Sequence, residues 1–421
     1  MRGLAYWALA FCFGLPAAQG AFPHSILGTV AMWSADGVVA DGAYWKQVTT
    51  LRSSAEGVVR LQIAARGRVR VRGERGMRGI SVTLTKRVKA PNMMAAKVRL
   101  DSVLVAIQNQ GSNQGSNQGP NQGPVVMVDV VAPDGELPEL TLELTVPRAL
   151  KQTSIQTRTG DVEATELDGT VFVESGGGMV RLDAIGQDVI ARTAGGEMRL
   201  GRVGGSLNCG TGGGTIRVDT IGGNAEFSTG GGEIWVREAK GWLRASTAGG
   251  SIHVERAAGE VVANSGGGVI EVAQAGGAVS ASTAGGTIEV AGGHGVQCES
   301  GAGSIRLKGV EGRVRAVTAK GMILAEVRPG ATMGNSLLAA KEGDIILYLP
   351  SNLAVTVRAR TELGEGAGEG LAGKIVSEFG ELQGRRDRWR GMIAEGRLNG
   401  GGPLLDLVTS GGAIHLRRLK P

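Results

Sequence analysis

The sequence predicts an all-β fold, a two-sheet β-solenoid with 18-residue coils, each built from two nine-residue half-repeats and capped by β-rich N- and C-terminal segments. Three observations predict it. Glycine accounts for 72 of 421 residues, and 40 of those lie between positions 160 and 330. Within that stretch a glycine falls at every ninth residue, at 160, 169, 178 and from 196 to 295, broken only by Gln187; the spacing resumes at 303, 312 and 321 after one eight-residue step. Aromatic residues make up only 4%, so the core must be thin and built from Val, Ile, Leu and Ala.

The strands follow from what comes after each marker glycine. Ile216 and Val218, Ile234 and Val236, Ile252 and Val254, Ile270 and Val272, and Ile288 and Val290 sit two and four places beyond it. Period two is the strand signature, with these residues on one face. The alternate half-repeats carry a slimmer pair: Val189 and Ala191, Leu207 and Cys209, Leu243 and Ala245, Val261 and Ala263, Val279 and Ala281. A strand of about five residues cannot bury its apolar face alone. Stacked coils bury it, each pairing with the next at roughly 4.8 Å, so nine or ten coils span roughly 45 Å. Glycine at each corner is expected to permit positive φ and close backbone approach. Thr193, Thr211, Thr229, Thr247, Ser265 and Thr283 recur at one corner only, where hydroxyls can bond turn backbone.

The same register decides the cysteines. Cys209 and Cys298 face inward on one column about five coils apart, on the order of 24 Å at the stacking distance. A disulfide needs Cα atoms within about 7 Å, so two free buried thiols are expected.

Four segments result: 1–20, 21–150, 151–330 and 331–421. The first has Arg2, an apolar run from Leu4 to Leu15, Pro16, and the small-x-small triplet Ala18-Gln19-Gly20 before Ala21, which reads as a cleaved signal peptide. Export to the periplasm, the cell surface or the medium follows, with no membrane span in the mature chain. Residues 21–150 read as strands at Val58 to Ile63, Gly67 to Val71, Ile80 to Val88, Val98 to Ile107, Val125 to Val131 and Leu140 to Val146, with a polar Asn-Gln-Gly loop at 109–124. Residues 331–421 return to strands at Asp344 to Leu349, Ala354 to Arg360, Lys374 to Phe379, Met392 to Arg397, Leu404 to Val408 and Ala413 to Leu416, around a glycine-rich loop from Glu362 to Gly373. Both flanks extend and cap the stack, because an open coil exposes unpaired strand edges.

Chemistry-bearing motifs are scarce, and no catalytic residue, cofactor or metal site is expected. Gly368 to Lys374 resembles a phosphate-binding loop, but Ile375 stands where the metal-binding hydroxyl belongs. Asp168, Asp183 and Asp219 occupy different phases of the repeat, which argues against a calcium-binding β-roll. Hexapeptide helices need an apolar anchor every six residues, which is absent. His24, His253, His294 and His415 share no ligand spacing. The net charge of +6 comes without the interleaved aromatics of a nucleic-acid surface.

One surface feature stands out. The residue three places after the glycine on each Ile/Val strand points outward, giving the column Glu163, Arg181, Arg199, Arg217, Trp235, His253, Glu271, Glu289 and Arg306. Arg181, Arg199 and Arg217 repel one another unless an anion or water intervenes. With Trp235 and His253 they form the candidate ligand-binding column, a groove for an acidic or sugar polymer.

Leu144-Thr-Val-Pro147 leading into Thr157-Arg-Thr-Gly160-Asp-Val162, the serial Thr/Ser-x-Gly-Gly-x-Ile-x-Val coils, and Leu398-Asn-Gly-Gly-Gly-Pro403 before Thr409-Ser-Gly-Gly412-Ala-Ile414 together resemble the bacterial putative adhesin family. The resemblance covers roughly residues 50 to 421; the Asn-Gln-Gly loop and the number of repeats depart from the family pattern. It implies a secreted β-strand-repeat domain of unknown function at the envelope or surface, with no catalytic residues. The leading expectation is a non-enzymatic solenoid presenting a repeat surface to a surface glycan or envelope protein. A polysaccharide-binding or polysaccharide-processing protein and a periplasmic scaffold in envelope sensing are the alternatives.

Overall fold

Each coil begins with a strand too short to stand alone, and its inward residues show how the stack compensates. In Ile216–Ile221 the residues Ile216, Val218 and Ile221 are at most 1% exposed; in Leu207–Thr211, Leu207 and Cys209 are at most 2% exposed. The computed structural model describes residues 32–35, 37–54, 57–110, 124–132, 138–362, 373–387 and 391–420. The leader at 1–20, most of the Asn-Gln-Gly stretch and most of the Glu362 to Gly373 stretch lie outside the described residues.

From residue 152 to residue 290 the parallel pairs match residue i with i+18, for example Ile216 with Ile234 and Leu207 with Ala225. One sheet carries the Ile/Val strands and the other carries strands ending in the threonine column. The short step is present, with Ile288 opposite Ile305 and Val279 opposite Val296. A longer step follows, Ile323 opposite Ile345. Ile305–Lys320 runs unbroken through a corner and belongs to both sheets. The predicted two-sheet solenoid is therefore the observed architecture. A third inward column, Leu167, Ile185, Val203, Ile221, Ala239 and Ala257, lies seven places after the marker glycine and was not read from the sequence.

The hydroxyl column couples neighbouring coils. Thr229 Oγ1 donates to the Gly214 carbonyl of the preceding coil at 2.9 Å and accepts from the Gly232 N–H at 3.2 Å. The same pair of bonds recurs at Thr193, Thr211, Thr247, Ser265, Thr283 and Ser300. Each satisfies partly or fully buried backbone groups at the corner.

The glycine expectation needs correction. Gly196, Gly214, Gly232, Gly250, Gly268 and Gly286 do not have positive φ. They are required for space: a Cβ at Gly232 would lie 2.0 Å from the Gly214 carbonyl oxygen, and one at Gly250 2.0 Å from that of Gly232. Positive φ in this column is confined to its ends, at Gly160, Gly321 and Gly343.

At both ends the stack departs from chain order. The coil of Arg60–Ala65 and Arg68–Glu74 lies between the later coil of Val125–Val131 and Glu139–Pro147 and the first repeat coil. Likewise Leu404–Thr409 and Ile414–Arg418 insert between Ser336–Glu342 with Ile345–Leu349 on one side and Val355–Thr361 with Ile375–Ser377 on the other. Antiparallel strands then cover the ends: Leu104–Gln110, Gly79–Val88 and Tyr44–Ser54 at one, Gly391–Leu398 at the other. Reversing strand direction stops the parallel template. One hydrophobic core runs from Leu51 to Leu416.

The expected strand from Val98 to Ile107 is wrong in its first half. A helix, Met93–Asp101, occupies it, and the strand begins at Leu104. Asn92 caps the helix by accepting the Ala95 N–H at 2.9 Å, and Met-Met-Ala-Ala favours helix. At its other end buried Lys86 donates to Gln47 Oε1, the Leu100 carbonyl and the Val103 carbonyl at 3.1, 2.8 and 2.7 Å, a cation on the helix C-terminus. Burial lowers the Lys86 pKa, with Asp101 opposing. Lys374 to Phe379 is strand only over Ile375–Ser377; beyond it Phe379 folds inward, 4% exposed.

Cys209 and Cys298 are free and buried, as the register requires. No helix among the described residues is long and apolar enough to cross a membrane.

Candidate functional site

The outward column of the Ile/Val sheet follows from strand pleat and stacking: alternate residues face out, and register i to i+18 sets them side by side. Pairing places Glu143, Arg70, Glu163, Arg181, Arg199, Arg217, Trp235, His253, Glu271, Glu289 and Arg306 in consecutive coils. All five residues of the predicted column are thus brought together in order. Glu143 and Arg70 also belong to it; sequence spacing missed them because their coils stack out of chain order.

Opposite charges neighbour one another over part of the column, although Glu271 faces Glu289. Arg70 pairs with Glu143 at 2.9 Å and Glu163 at 3.5 Å, and Arg306 pairs with Glu289. His253 Nδ1 lies 3.1 Å from Glu271 Oε2. The three arginines interrupt this pattern. Arg199 is forked onto Glu197, just before its strand, at 2.8 and 3.1 Å, and those hydrogen bonds raise its already high pKa. Arg181 and Arg217, both exposed, have no ion pair among the described residues.

A groove of about 230 Å³ runs along these coils, lined by Arg181, Arg199, Arg217 and Trp235 with Asp183, Asp219 and Gly201. Its two carboxylates are already engaged. Asp183 Oδ1 accepts the backbone N–H groups of Ala184 at 2.8 Å and Arg202 at 3.0 Å, and Asp219 faces Arg237 at 3.9 Å. Gly201 leaves room for Asp183, since a Cβ there would lie 2.1 Å from Asp183 Oδ1.

A larger groove of about 830 Å³ adjoins it, lined among others by Arg70, Arg72, Arg148, Arg202, Glu143, Glu163 and Glu166. Most of its charges cancel: Arg72 meets Glu166 at 3.8 Å, and Arg148 meets Asp168 at 2.7 Å. Of the arginines lining the two grooves, Arg181, Arg202 and Arg217 have no ion pair among the described residues. Among the described residues no group of three or more His, Cys, Asp or Glu side chains could hold a metal ion.

No family model matches the chain, and no curated protein matches it. Among solved structures it is similar to a putative cell adhesion protein from Clostridium sporogenes, with 8% identity, 93% of this chain and 100% of that chain covered, and a TM-score of 0.18. It is also similar to a putative adhesin from Bacteroides fragilis, with 10% identity, 88% of this chain and 97% of that chain covered, and a TM-score of 0.18. Scores of 0.18 give no residue-by-residue correspondence, so no site is carried over from either. The class defined by register and burial is the capped two-sheet β-solenoid.

Proposed function

We propose that the protein is a non-enzymatic, exported β-solenoid whose Ile/Val sheet presents its outer face for adhesion or cell-envelope interaction. The observation that carries this reading is the run of three arginines on that face: Arg181, Arg199 and Arg217 are neighbours in register, and of the three only Arg199 has an ion pair among the described residues. The leader-like segment at 1–20 supports export. The rigid parallel ladder supports presentation rather than turnover, because it offers a long repeated surface.

Protease treatment of intact cells producing the protein tests it. Cleavage of the folded chain from outside, together with loss of the cells' attachment to a glycan-coated surface, is the expected result. Full protection inside the cytoplasm overturns the proposal. Protection by the outer membrane with release by osmotic shock favours the periplasmic scaffold instead.

A further inference from the structure

We propose that Arg181, Arg199, Arg217 and Trp235 bind an acidic polysaccharide that carries a carboxylate on successive sugars and lies parallel to the stack axis. The proposal rests on the reading of this face as a binding surface and names what occupies it.

The three arginines are direct neighbours in register, Arg181 opposite Arg199 and Arg199 opposite Arg217. Like charges facing each other across strands are destabilising. The column avoids that cost at Arg70 and Arg306 by placing a glutamate beside each. Here Glu197 takes Arg199, and the carboxylates of the groove are turned away from the other two, Asp183 onto backbone N–H groups and Asp219 onto Arg237. The guanidinium groups of Arg181 and Arg217, two coils apart, remain without an ion pair, each suited to one external carboxylate through forked, charge-assisted hydrogen bonds.

The spacing selects the polymer. Adjacent coils are about 4.8 Å apart, close to the length of one sugar in an extended β-linked chain. Such a chain turns alternate sugars to the same side, so every second uronate faces the protein, two coils on, which is the separation of Arg181 and Arg217. Trp235, one coil further on and half-buried in the same groove, offers a flat apolar surface to the face of the following sugar. Polyphosphate or polyglutamate has no ring to place there.

Calorimetric titration of the intact chain with polymannuronate oligosaccharides at low salt tests the proposal, with neutral mannan and polyglutamate as comparisons. Polymannuronate is expected to bind at least about tenfold more tightly than either comparison, a difference of about 1.4 kcal/mol. Arg181→Gln with Arg217→Gln, and separately Trp235→Ala, should each weaken it by about tenfold or more. Arg244→Gln, on the outer face of the other sheet, should leave it unchanged. Circular dichroism melts confirm that each variant is folded; should the double glutamine variant fail to fold, Arg181→Lys with Arg217→Lys keeps the charge, loses the fork, and should still bind more weakly. Absence of polymannuronate binding, equal binding of polyglutamate, or unchanged binding by the folded double variant overturns the proposal. Silence toward polymannuronate with surface attachment intact overturns the ligand alone, whereas a chain confined to the cytoplasm overturns the functional reading.

Discussion

At the scale of single residues, the repeat is held by a pairing of hydroxyl and glycine. Thr229 spans from its own coil to the one before it, and Gly232 comes so close to the Gly214 carbonyl that no side chain fits between them. Neighbouring glycines are not equivalent. Gly232→Ala should destabilise the protein by several kcal/mol, because the added Cβ meets backbone that is itself locked in the ladder. Gly231→Ala, with nothing within 4 Å of its Cβ position, should be close to neutral in the same urea titration.

The cysteines give a second residue-scale prediction. Burial pushes the Cys298 thiol up to about 12, and Cys209 is shifted the same way. A free thiol ionises near 8.5. The unfolded state therefore loses a proton before the folded state does, and this contribution to stability falls as pH rises from about 8.5 toward 12. In the folded protein neither Cys209 nor Cys298 should react with a thiol reagent at pH 8, and both should react once denatured. Rapid labelling of the native protein contradicts the inward register.

At the scale of elements, the termini of the stack are not the termini of the chain. Ile414–Arg418, among the last strands in sequence, has coils on both sides. Terminal strands ordinarily fray, but these amides are interior. Hydrogen exchange at Leu405, Leu407, Ile414 and Leu416 should be as slow as at Ile216 or Ile234. Exchange as fast as in a free end contradicts the insertion.

This is also where legibility in the sequence stops. Coils that stack in chain order write their register as an 18-residue spacing, so the Ile/Val strands, the hydroxyl column and Arg181 to His253 can be read directly. Arg60–Ala65 finds its partner Gln152–Thr157 across most of the N-terminal segment, a pairing with no period to announce it. The helix Met93–Asp101 was hidden because Val98 and Leu100 also suit a strand; what decides it is the Asn92 cap and the distant Lys86. The diversion of Asp183 and Asp219, which leaves Arg181 and Arg217 unmatched, depends on side-chain geometry that spacing does not encode.

At the scale of the whole molecule, the described residues form fifteen parallel coils stacked between antiparallel caps, about 70 Å at the β-sheet spacing. Such a molecule offers one periodic face whose chemistry changes coil by coil while its geometry does not. The proposed binding surface depends on that constancy, since the arginines can act together only if neighbouring coils keep their register. Pairs of cysteines on the outer face of the threonine sheet measure it most directly. Ser246→Cys with Asn264→Cys, one coil apart in register, should form a disulfide under mild oxidation of the native protein, while Ser246→Cys with Ser282→Cys, two coils and about 10 Å apart, should not. Equal cross-linking of both pairs, or cross-linking of the second alone, would contradict the 18-residue stack.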